Sequence, residues 1–145
     1  MSINQLVFGH QVTVVIQNPI TGANLPLTNI TKFDSKQNTE KETSKPLNAK
    51  PIFAHTPNGF TGTITFDRVD ATVDTFFAQM EATYWANGLT FNGNITTYIT
   101  ELNGTTTQWL YSAASMTLSD AGSYESQKKI TQRIDFESAD RELIT

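Results

Sequence analysis

Apolar and polar residues alternate along most of this chain, which is the mark of half-buried strands. In "QVTVVIQ", Val12, Val14 and Ile16 share one face while Gln11, Thr13 and Gln17 share the other. "NPITGAN" follows with turn chemistry, because Pro19 fixes φ and Gly22 permits positive φ. A second strand is predicted over about residues 25–33, paired with the first as a hairpin. Pro26 suits an edge there, since it cannot donate to a ladder. The clearest alternation is "GFTGTITFDR": Phe60, Gly62, Ile64 and Phe66 face one way, and Thr61, Thr63, Thr65 and Asp67 the other. A glycine on the apolar face predicts close approach by a neighbour.

The period then changes. Val69, Val73, Phe76, Phe77, Met80 and Tyr84 recur at spacings of three and four, which predicts one amphipathic helix over about 70–86. Asp70 is its expected N-cap, Asp74 complements the dipole, and Asn87-Gly88 stops it. The expected packing face is Val73, Phe76, Phe77, Met80 and Tyr84. Beyond the helix, segments near 89–91, 95–102 and 106–116 read as strands, with tight turns at Asn92-Gly93 and Asn103-Gly104. "QKKITQRIDFES" is a closing strand with Ile130, Gln132, Ile134 and Phe136 on one face, and "ADRELIT" is a tail. One helix covers only part of such a sheet. The expected fold is therefore mainly β: a sandwich or barrel of about six to eight antiparallel strands with one flanking helix, in a single domain over residues 1–145.

Composition narrows the function classes. Only 17% of residues are charged and the net charge is −4, which disfavours tight nucleic-acid binding. There is no cysteine, so disulfides and thiolate metal sites are excluded. No run reaches the roughly 20 apolar residues of a membrane span, and the first residues lack the pattern of a signal peptide. His10 and His55 stand apart from carboxylates, and no nucleophile motif accompanies them. Asp67, Asp70 and Asp74 could gather a cation, but capping and dipole complementation explain them with less. No cofactor, metal or catalytic residue is expected, and the chain does not read as an enzyme.

The segment "FDSKQNTEKETSKPLNAKPIF", residues 33–53, is unusual. Loops beyond about 12–15 residues are uncommon in compact domains unless they are functional or disordered. It carries Lys36, Lys41, Lys45 and Lys50 with Glu40 and Glu42, and its apolar residues Leu47, Ile52 and Phe53 come late. As a hairpin, each arm of about ten residues would reach at most about 33 Å. Such an arm is expected to be offered to another subunit.

The order of a strand hairpin, a long polar excursion, "GFTGTITFDRVDATVDTFFAQMEATYWANG" and "TTQWLYSAASMTL" resembles the tail tube proteins of contractile-tailed bacteriophages. That fold is shared with the tube protein of type VI secretion. "YSAASMTLSDAGSYESQKKITQRIDFES" is similar to the closing part of those proteins. The resemblance implies a structural virion protein, made in the host bacterial cytoplasm, that forms stacked hexameric rings. It implies that inner sheets join into a barrel through which DNA passes unread. It also implies a sheath outside, with baseplate and tail-terminator proteins at the ends. The inter-ring contact would fall on Lys36, Glu40, Lys41, Glu42, Lys45 and Lys50. The alternative is a carbohydrate- or protein-binding β-sandwich module using Trp85, Trp109 and Tyr111.

Overall fold

The computed structural model describes residues 12–20, 22–27 and 29–144. In chain order they form β1 (Val12–Gln17), β2 (Asn24–Leu27), β3 (Ile30–Ser44), β4 (Ile52–Asp67), α1 (Thr72–Asn87), β5 (Gly93–Thr100), β6 (Thr106–Asp120), β7 (Thr131–Ser138) and β8 (Asp140–Leu143). All pairings are antiparallel, in the order β2-β1-β5-β6-β7-β4-β3, with β8 also on β6. The expected mainly β fold with one helix is what the chain adopts. His10, Gln11 and Thr28 lie outside the described residues.

One sheet becomes two facing halves because β6 bends. Its first half lies between β5 and β8, and its second half pairs with β7. The bend is at Ala113, which has φ 49°, a left-handed conformation that costs an alanine free energy and turns the strand. Across the bend Ala139 N–H donates to the Ser112 carbonyl at 3.1 Å, so β7 and β8 act as one strand kinked in step with β6. The two halves share one core: Val14, Ile16 and Ile95 from one side, Ile64, Phe66, Ile134 and Phe136 from the other. Tyr111 sits between them, edge-on to Phe136 and hydrogen bonded to Ser35 Oγ at 2.9 Å.

The helix covers one open side of this core. Val73 and Phe76 are buried, and Phe77 and Met80 pack partly against the core. Its start is held by side chains. Asp74 accepts from Arg68 Nε at 3.0 Å and from Gln132 Nε2 at 2.8 Å, tying the helix to β7. The stop at Gly88 is as expected, with φ 67° and its N–H on the Tyr84 carbonyl.

Several boundaries differ from the expectation, each for a local reason. The strand expected over about 25–33 is two strands in different halves of the sheet, divided at Asn29, whose φ of 57° redirects the chain. No strand forms at 89–91; these residues carry the chain from the helix end to β5, and Gly93 opens β5 rather than a hairpin turn. Asn103-Gly104 does make its turn, with Glu101 N–H on the Thr105 carbonyl at 2.8 Å. The closing strand begins at Thr131, after a turn at Gln127 with φ 64°, and the expected tail supplies β8. The helix starts at Thr72, because Asp70 takes the Thr72 N–H at 3.0 Å and Ala71 stands at the N-cap. Tyr84 does not pack: it is 45% exposed, since the helix runs past the edge of the core after Met80.

Gly62 shows the close approach expected of it. A Cβ there would strike the Asp34 carbonyl oxygen and lie 2.5 Å from Phe136 Cζ. Gly62→Val is expected to lower folding stability by about 1–3 kcal/mol through overpacking. Thr63→Val, on the opposite face, should change it by under about 0.5 kcal/mol. Urea unfolding of the two variants measures the difference.

Candidate assembly surfaces

Of the two forms open to segment 33–53, an extended loop or a hairpin, the chain adopts the hairpin, whose free arm is residues 39–57. β3 and β4 pair continuously from Ile30↔Phe66 to Ser44↔Ile52. β7 supports β4 only from Phe60 to Asp67. Past that point the two strands run on alone, and every residue from 39 to 57 is exposed. At about 3.3 Å per residue, the paired part beyond the body, 39–44 against 52–57, projects about 20 Å.

Its root is built to aim it. A register shift between Gln37 and Thr39 leaves Asn38 out of the ladder, and Asn38 Nδ2 donates to Thr61 Oγ1 at 2.6 Å. Gly59 faces this break with φ 82°, and a Cβ there would lie 2.7 Å from the Ser138 carbonyl oxygen. Bulges of this kind bend and twist a hairpin while keeping its pairing.

Pairing sorts the arm's side chains onto two faces, because directly opposed residues point the same way. Glu40, Glu42 and Ser44 share one face with Ile52, Ala54 and Thr56. Lys41 and Thr43 share the other with Phe53 and His55, and Lys41 Nζ lies 4.9 Å from the Phe53 ring centre. The tip adds Leu47, which is fully exposed, between Lys45 and Lys50. Lys36 stands apart from the other five predicted contact residues. It pairs with Thr61 at the body's edge rather than on the arm.

Two further surfaces accompany the arm. The first is the outward face of β3, β4, β6 and β7, with Lys32, Asp34, Lys36, Thr61, Thr63, Thr65, Asp67, Ser115, Thr117, Ser119, Thr131, Arg133, Asp135 and Glu137. Its three cations and four carboxylates are largely self-paired: Lys32–Asp34 at 3.3 Å and Arg133–Asp135 at 3.5 Å, with Lys129 reaching Asp67 at 3.4 Å. The second is an open cleft of about 740 Å³ between β1 and the free edge of β3, with Val12, Leu27, Ile30, Ile99, Tyr111 and Arg141 on its walls.

The remaining sequence candidates fall apart in space. Asp67 serves Lys129 and Thr131, Asp74 serves Arg68 and Gln132, and Asp70 serves Thr72. The hydrogen bonds from the Thr72 side chain and backbone, aided by Arg68, hold Asp70 below the usual carboxylate range. The Asp70–Thr72 contact is therefore complete above the ordinary aspartate range and is lost as pH falls through the lowered value. His55 is exposed on the arm. Trp85 is exposed on the helix, Trp109 lies under Arg141 and Tyr111 is in the core, so these three make no sugar platform. The residue that sequence reasoning missed is Arg141. No periodicity marks it; its role follows from pairing opposite Tyr111, which brings its guanidinium 3.6 Å from the Trp109 ring centre.

No family model matches this sequence, and no curated protein matches it. Solved structures do. The chain is similar to one from the sheath–tube complex of the PVC extracellular contractile injection system in its extended state, with TM-score 0.67 and 12% identity over 97% of this chain and 93% of that one. It is also similar to a chain of the anti-feeding prophage baseplate, with TM-score 0.64 and 12% identity over 99% and 97% of the two chains. A third is in the cap that terminates the anti-feeding prophage tube, with TM-score 0.64 and 13% identity over 100% and 95%. The fold is thus tail-tube-like, as the sequence pattern implied.

The exposed apolar residues of the arm contribute nothing to the core. Ile52→Ala and Phe53→Ala are expected to change folding stability by under about 0.5 kcal/mol, whereas Ile64→Ala, at a site with no exposure, should cost about 2–5 kcal/mol. Chemical denaturation of the dilute protein makes the comparison.

Proposed function

We propose that this chain is a non-enzymatic structural subunit that assembles into stacked hexameric rings, forming the inner tube of a contractile tail. The observation that carries this reading is the arm: a paired and wholly exposed hairpin with apolar residues at and near its tip. A two-stranded hairpin alone in water is marginal at best. Contact with another copy supplies what its own body does not.

The free edge of β3 supports the same reading. Among the described residues it is unpaired along the whole strand, and open strand edges of that length invite pairing with another chain. Pairing edge to edge within a ring would join the four-stranded halves into one barrel. The threonine- and serine-rich outward face would then line the bore. Most of its charges are paired locally, so a polyanion such as DNA would pass without being held. The exposed half of α1, with Tyr84 and Trp85, would face outward toward a sheath. Baseplate and terminator proteins would close the ends, and the assembled tube would belong to a phage tail or a related particle.

The test is electron microscopy of the purified chain and of an arm-less variant. In that variant residues 40–56 are replaced by Asn-Gly, which closes the ladder at Thr39↔Pro57. The native chain is expected to give hollow sixfold rings and tubes. The variant should stay folded, with an unchanged thermal midpoint, and give rings without long tubes. Tubes of normal length from the variant would remove the arm from the mechanism. A native chain that stays monomeric at all concentrations would remove the assembly itself.

A further inference from the structure

The proposed stacking leaves open what receives the arm, and the cleft beside β3 has the matching chemistry. Arg141 lines it. Its guanidinium is stacked on Trp109, with the Phe60 and Tyr111 rings within 5.9 and 6.0 Å. Its Nε is buried and, among the described residues, has no hydrogen-bond partner. Arginine on aromatic rings is well held as a cation, but a buried N–H without an acceptor carries a desolvation cost. Among the described residues the cleft wall includes Lys32 and the hydroxyl residues Thr13, Thr31 and Ser35, and no carboxylate. The site is therefore short of one acceptor, and a carboxylate is the strongest partner a guanidinium takes.

The arm offers that carboxylate in the right company. Its Glu40–Glu42 face carries Ile52 and no cation, while its lysine and histidine at this level are on the other face. An acidic strand with an apolar residue matches a cleft lined by Val12, Leu27, Ile30 and Ile99 beneath one unpaired arginine. The arm leads away from its own cleft, because it continues β3, whose first residues form the cleft wall. Resting on the assembly proposed above, we infer that the Glu40–Glu42 face of one copy's arm docks in the Arg141 cleft of a second copy. Such a contact joins two different surfaces, is heterologous and propagates into an open stack.

The chain has no cysteine, so an introduced pair reports this contact alone. A chain carrying Glu42→Cys and Thr31→Cys, oxidised after assembly, is expected to give a ladder of covalent oligomers on a denaturing gel. A chain with Lys41→Cys and Thr31→Cys, which uses the opposite face of the arm, should give none. In parallel, Glu40→Arg with Glu42→Arg should abolish tubes, and adding Arg141→Glu should restore them. If Arg141→Glu prevents folding, seen by circular dichroism, the cysteine pair decides. Tubes that form without a Glu42→Cys ladder would overturn the docking and leave the assembly standing. Failure of the native chain to form any tube would take both together.

Discussion

The structure turns on a mismatch of strand lengths. The β3–β4 ladder extends from Ile30↔Phe66 to Ser44↔Ile52, while the β7 ladder beside it stops at Phe60↔Ser138. Inside that limit each strand has a core beneath it; beyond it neither has. Threonine and charged residues keep the free part soluble, but nothing in the body repays the entropy of ordering it. A protein built this way carries a segment that its own body leaves unsupported. The same strand that projects as the arm also bounds the unpaired edge and the cleft, so one element presents three surfaces.

The body explains how such a strand is held firmly at its base. Kinks at Ala113 and Ala139 fold the sheet over, placing Tyr111 against Phe33, Phe60 and Phe136. The Tyr111 hydroxyl then reaches Ser35 on β3, and Asn38 reaches Thr61 at the arm's root. These polar contacts sit where β3 leaves the core. Edge-to-face ring packing is worth about 0.5–1.5 kcal/mol per pair beyond burial, which adds to the stability of the junction. The arm's direction is thereby fixed by the core rather than by the loop at its tip.

Much of this was legible in the sequence, and the parts that were not share a cause. Alternation identified β1, β7 and the second part of β4, and the three-four spacing identified α1, because each buries a single face against one core. Alternation cannot locate a kink, so β2 and β3 looked like one strand through Asn29, and β6 seemed to end near Met116. It also cannot see the partner of a polar strand. Residues 33–53 have no apolar period, and their pairing is visible only from the tertiary register. Tyr84 kept the helical spacing but lies past the edge of the sheet, where spacing no longer means burial. Arg141 gave no local signal at all, since its neighbours Trp109 and Tyr111 are brought to it by β6–β8 pairing.

The wet face of the four-stranded half follows from a second constraint. β-Branched threonines at 61, 63 and 65 favour the strand while staying polar, so the sheet holds its form with one side in water. Most of its charge is answered by a neighbour, as Lys32 answers Asp34 and Arg133 answers Asp135. Exposed pairs of this kind add little stability, so their consequence is electrostatic: they leave a surface with little field of its own. A face that neither attracts nor repels strongly would be a poor recognition site and a good wall. In the proposed assembly, specific contact would be left to the arm and the cleft; on the arm, Glu40 and Glu42 lie on the face opposite Lys41.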